Sequence, residues 1–147
     1  MKRAILQAEC AGRKDEVPIG CVIVKNNQII ARGYNLRESR QDSTLHAEII
    51  AIRKACKSLN SWRLEDCDLY VTLEPCYMCA GAIIQTRIRH IYFGALDPKG
   101  GAVLSKSRLF DLDHNHRVEY TGGILADECG QLIRLFFQDL RYRKKME

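Results

Sequence analysis

Two short segments, His46-Ala47-Glu48 and Pro75-Cys76-Tyr77-Met78-Cys79, each place metal-binding side chains where a helical pattern begins. After the first, Ala47, Ile50, Ala51 and Ala55 share one helical face over His46–Leu59. The second opens a helix over Tyr77–Thr86, and a β-branched and aromatic run, Asp68–Leu73, leads directly into it. Any fold of this chain has to bring those two helix starts together around the end of that strand.

The remaining segments supply the frame. Lys2–Arg13 reads as a helix, with Ile5, Leu6 and Glu9 at helical spacing. Gly20–Val24 and Gln28–Gly33 are apolar runs on either side of Asn26-Asn27. Adjacent asparagines tolerate positive φ, so a tight hairpin is predicted there. His90–Ala95 is a further strand, Asp97–His116 a polar loop, Val118–Thr121 a short strand and Leu125–Lys145 a long final helix. Alternating strands and helices predict an α/β fold of three layers, α-β-α, whose central sheet is mixed because of the hairpin. The length, 147 residues, suits one domain over residues 1–147.

The spacing of Cys76 and Cys79 lets one helical turn present both sulfurs to one ion, and a helix N-terminus favours thiolate. His46 would be the third ligand. One His and two Cys fill three of zinc's four tetrahedral positions, the pattern of a catalytic rather than a structural site. A structural site would draw its fourth ligand from Cys67, Cys129, His90, His114 or His116, and would leave Glu48 without a part. Glu48 sits in the first turn of its helix. As a fourth ligand it would quench the metal's Lewis acidity, whereas as a proton shuttle it would serve a water whose pKa the metal lowers towards ~7. Such a site suits an amine on an sp² carbon, giving the carbonyl and ammonia.

Charge and cysteine content narrow the setting. Lys and Arg exceed Asp and Glu by five, which permits an anionic partner without demanding one. The excess is uneven, since Arg134, Arg141, Arg143, Lys144 and Lys145 face only Asp139 and Glu147 at the chain end. That stretch is either a solvated helix end or a phosphate-contacting surface. Seven cysteines, an odd number without regular spacing, fit reduced thiols. Cys10, Cys21, Cys56, Cys67 and Cys129 are expected to be small buried side chains. No apolar run is long enough to span a membrane, and no signal-peptide core follows Met1-Lys2-Arg3, so a cytoplasmic protein is expected.

The motif pair resembles the H-x-E…P-C-x-x-C signature of the zinc-dependent cytidine/deoxycytidylate deaminase superfamily. Within that superfamily the chain looks most like the bacterial tRNA adenosine deaminases, through segments such as Glu16–Gly20, Gly33–Asn35, Leu69–Cys76, Met78–Ala82, Asn115–Arg117 and Gly123–Ala126. The resemblance implies a cytidine-deaminase-like fold and one Zn2+ per chain, held by His46, Cys76 and Cys79. Glu48 would move protons. Asn35, the backbone at Ala47, Asp97 and Phe137 would contact the target nucleotide, with Asp97 near the ribose. The resemblance further implies a homodimer that acts on the wobble adenosine of a tRNA anticodon stem-loop and makes inosine. Arg141, Arg143 and Lys144 would track phosphates. The Val103–Arg108 stretch departs from the family's small residues, so that either Lys106 and Arg108 add phosphate contacts or the loop is simply reshaped.

Two other functions share these residues. A deaminase of a free base or nucleoside, such as guanine, cytosine or cytidine, would use the same ligands. A non-catalytic zinc module that binds RNA would leave Glu48 incidental.

Overall fold

In the computed structural model, which describes residues 1–147, Asn26 and Asn27 both stand at positive φ, 50° and 61°. They turn strand β1 (Gly20–Lys25) into strand β2 (Gln28–Tyr34), an antiparallel pair with a register shift between Ile23 and Val24. Strand β3 (Cys67–Leu73) lies antiparallel to β1, whereas β4 (His90–Ala95) and β5 (Glu119–Thr121) continue the sheet in parallel. The order is β2-β1-β3-β4-β5, a mixed sheet as the hairpin required.

Successive residues of β1 face opposite layers. Gly20 faces helix α1 (Lys2–Gly12), while Cys21, paired across the ladder with Gly33, faces helix α3 (Ala47–Leu59). The last helix, α5 (Ala126–Met146), packs on β4, and Gly94 of that strand abuts Cys129. Helix α4 (Tyr77–Gln85) lies beside α3. The main core sits between the sheet and α3 with α4. There Leu69, Val71, Ile91 and Phe93 meet Ala51, Ala55, Ala80 and Ile83, all fully buried.

Three details depart from the sequence expectations. A four-residue helix, α2 (Arg37–Arg40), follows β2, too short to leave a periodic signal. The segment Asp97–His116 is not simply a polar loop. Ala102, Val103 and Phe110 enter the core, the last from a 3-10 turn at Leu109–Asp111. These apolar residues have neither helical nor strand spacing, so periodicity passes over them. Cys10 and Cys56 are half-buried rather than buried, while Cys21, Cys67 and Cys129 are buried and all seven thiols are free. No helix is long and apolar enough to cross a membrane.

Candidate active site

His46 and Cys76 occupy equivalent places, each the residue just before a helix. Both have extended backbones, at φ −76° and ψ 155° for His46 and φ −76° and ψ 177° for Cys76. Neither uses its side chain to cap the helix behind it, so imidazole and thiol are free to face each other. Cys79 lies one turn into α4. The α3 start is held against β2 at Gly33, where an added Cβ would come within 2.4 Å of the Ala47 carbonyl oxygen.

His46 Nδ1 lies 3.6 Å from Cys76 Sγ and 3.6 Å from Cys79 Sγ, and all three donor atoms fall within 4.8 Å of one another. A tetrahedral ion with metal–sulfur and metal–nitrogen bonds of about 2.3 Å and 2.0–2.1 Å would separate N from S by about 3.6 Å. The observed edges match, so this donor set fits zinc. The other sequence candidates for a fourth ligand are engaged elsewhere. His114 Nε2 meets the Leu109 carbonyl at 2.7 Å, His116 Nε2 the Ile88 carbonyl at 2.8 Å, and His90 Nε2 the Thr121 hydroxyl at 2.9 Å. Cys67 and Cys129 do not join the cluster.

The site's electrostatics follow from its burial and from the mutual contacts of His46, Cys76, Cys79 and Glu48. Cys76 is lowered to about 4, chiefly by a hydrogen bond from Cys79, with a further one from His46; burial opposes the shift. Cys79 is pushed up by donating that bond and by burial. Hydrogen bonding to Cys76 raises His46 despite its partial burial, and the charge of Glu48 adds to the rise. Metal binding needs both sulfurs as thiolates and would release the protons they carry. Glu48 is 4% exposed. Burial lifts its carboxyl to about 7, with the nearby Cys76 thiolate adding to the rise.

His46 also lines a cleft of about 490 Å³. Asn35, Ala47, Asp97 and Phe137, expected at the nucleotide, line the same cleft. Asn35 is buried and accepts a 3.3 Å hydrogen bond from the Arg37 N–H through Oδ1. Asp97 Oδ1 accepts hydrogen bonds from the Lys99 and Gly100 backbone N–H groups at 3.1 and 3.2 Å. Phe137 is partly exposed and packs edge-on against the half-buried Phe136.

Lys106, Arg141, Arg143 and Lys144 do not reach this cleft. Arg143 is paired with Asp139 at 2.9 Å and with Asp15 at 3.1 Å, joining α5 to the end of α1. Three cations line the cleft: Arg37 and Lys99, which the sequence did not single out, and Arg134, which it offered only as part of the basic stretch at the chain end. They come from three separate stretches of chain, so no local pattern groups them. Glu16 was also missed as a functional residue. It is fully buried and accepts hydrogen bonds from the N–H groups of Glu38 (2.9 Å) and Ser39 (2.7 Å) and from the Ser39 hydroxyl. It thereby caps α2 and fixes the backbone between Asn35 and Arg37. The available signal was its charge immediately before the apolar run Val17–Val24.

Residues 1–141 match the family described as MafB19-like deaminase. The tRNA-specific adenosine deaminase of Bacillus subtilis (strain 168) is 51% identical over 99% of this chain and 91% of its own length. That of Haemophilus influenzae (strain ATCC 51907) is 46% identical over all of this chain and 86% of its own. A solved structure from a study of A-to-I editing by tRNA:A34 deaminases superposes with a TM-score of 0.87 at 47% identity, covering 90% of this chain and 96% of the other. A catalytic-type His-Cys-Cys cluster, a buried carboxylate beside it and similarity along nearly the whole chain agree with one another. The chain belongs to the MafB19-like deaminase family and, within it, stands with the tRNA-specific adenosine deaminases.

Proposed function

We propose that this chain is a zinc-dependent deaminase that hydrolyses the wobble adenosine of a tRNA anticodon stem-loop to inosine and releases ammonia. The observation that carries the proposal is the pair of 3.6 Å edges from His46 to Cys76 and Cys79, opening through His46 onto a cleft shared by Asn35, Asp97 and Phe137. Zinc held there, one ion per chain, would supply a Lewis acid that makes water a stronger proton donor at neutral pH.

Glu48 removes a proton from the attacking water and delivers it to the ring nitrogen. It then moves the proton of the new hydroxyl to the amino group, so the C–N bond breaks as the carbonyl forms and ammonia leaves. A carboxyl lifted to about 7 is well matched to giving and taking protons near neutral pH. Asn35 and the Ala47 backbone seat the base, Phe137 packs beside the flipped nucleotide, and Asp97 reads the ribose 2′-hydroxyl. Arg37, Lys99 and Arg134 meet phosphates at the mouth, with Lys106, Arg141 and Lys144 further out and Arg143 already partnered. An anticodon-loop adenosine is partly unstacked, so its extrusion costs less than opening a duplex. The enzyme works as a homodimer in the cytoplasm.

The test is incubation with total tRNA followed by sequencing, in which inosine reads as guanosine. Conversion confined to a wobble adenosine is expected. No change at any wobble position, or faster turnover of free guanine or cytidine than of the stem-loop, would overturn the proposal.

A further inference from the structure

We propose that Glu74 is a positioning residue that holds Asp97 at the cleft, by tying the segment 97–105 to the strand end that also delivers the first cysteine ligand. Glu74 ends the β3 run immediately before Pro75-Cys76 and is 2% exposed. Its carboxylate accepts five hydrogen bonds, all from that one segment. The backbone N–H of Asp97 reaches Oε1 at 3.0 Å, and those of Val103, Leu104 and Ser105 reach Oε2 at 3.1, 2.8 and 2.9 Å. The Ser105 hydroxyl donates to Oε1. Gly101 closes over the group, since a Cβ there would lie 2.2 Å from the carboxylate carbon. Two main-chain bonds continue the tie, from Glu74 N–H to the Ala95 carbonyl and from Ala102 N–H to the Pro75 carbonyl, both 2.8 Å.

The consequence for Asp97 is geometric. Its backbone N–H is fixed by Glu74, and its Oδ1 is turned back onto Lys99 and Gly100. Oδ2 receives no hydrogen bond from the protein and remains available to a ligand in the cleft. One buried anion therefore sets the distance between the ligand side of the site and a polar group of the substrate side. A buried carboxylate with five donors is costly to replace by an amide, which accepts at one oxygen only and turns an NH2 group onto N–H donors.

The assignment of the ribose to Asp97 rests on the proposed tRNA function; the clamp itself does not. The experiment measures amide hydrogen exchange over 97–105, and turnover of one stem-loop carrying either a ribose or a 2′-deoxyribose at the target adenosine. The proteins are wild type, Glu74→Gln, Ser105→Ala, Asp97→Ala and the Glu74→Gln/Asp97→Ala double variant. Glu74→Gln is expected to speed exchange at 97–105, leave bound metal at the wild-type level and lower the ribose-over-deoxyribose preference about tenfold or more, since small misplacements of positioning groups are amplified in rate. Ser105→Ala, which keeps the charge, should shift the same quantities less. In the Asp97→Ala background the Glu74 change should not reduce the preference further. Unchanged exchange at 97–105, equal losses on both substrates, or multiplicative effects in the double variant would overturn the inference. A wild-type enzyme inactive on the stem-loop would instead remove the tRNA function, and hydrogen exchange alone would then decide the clamp.

Discussion

His46 and Cys76 each stand at the last extended residue before a helix, so three donor atoms can converge without disturbing either helix. Glu48, two residues after His46, is buried in the first turn of α3. The role proposed for it separates cleanly from those proposed for the ligands. Glu48→Gln should retain zinc and bind the stem-loop with unchanged affinity, while kcat falls about 10²–10⁴-fold, the usual contribution of a positioned proton carrier. Single-turnover kinetics with a binding assay on the same preparation check this. Cys76→Ser, by contrast, should lose metal along with activity, read by metal analysis. Both residues were legible in the sequence because H-x-E and C-x-x-C carry their chemistry in local spacing. The grouping of Arg134 with Arg37 and Lys99 was not, because only the fold makes them neighbours.

Among the elements, α2 shows what a short segment owes to a distant side chain. Four residues do not form a helix in isolation, since nucleation is unfavourable and few bonds follow it. Glu16, more than twenty residues earlier, supplies the missing acceptors for the N–H groups of Glu38 and Ser39. Burial alone would raise the Glu16 carboxyl, but the Ser39 hydroxyl and those backbone N–H groups outweigh it and hold the group below its ordinary 4.5. A carboxylate depressed in the folded state stabilises above its unfolded pKa, and that stability disappears as pH falls through the folded value. Glu16→Gln should therefore destabilise by about 2 kcal/mol at pH 7. Its deficit relative to wild type should shrink as pH drops below about 4.5, as urea midpoints across pH 3–7 will show. The hairpin, by comparison, was readable locally from Asn26-Asn27. The contribution of Ala102, Val103 and Phe110 to the core was not, because it depends on where Glu74 pins the chain.

For the whole molecule, three layers place both ligand-bearing helix starts and the cationic cleft mouth on one side of the site. Alternation of strands and helices made that architecture legible; the course of the 97–116 segment and the exposure of α5 came only from packing. Only Cys129 of α5 is buried, while Leu135, Phe137, Tyr142 and Met146 are exposed. The charge at the mouth has a thermodynamic signature. Removing a phosphate contact should reduce the slope of log affinity against log salt by about 0.7–0.9. Arg134→Ala should show that change in stem-loop binding, whereas Arg143→Ala, already satisfied by Asp15 and Asp139, should leave the slope close to wild type. The account as a whole depends on a metal held by three protein donors with room for a reactant. Zinc-edge X-ray absorption, with metal quantified on the same sample, tests this most directly. The account predicts one zinc per chain with two sulfurs near ~2.3 Å and two lighter donors near ~2.0–2.1 Å, one of them exchangeable. Three or more sulfurs, or a full set of protein ligands that His46→Ala leaves intact, would contradict it.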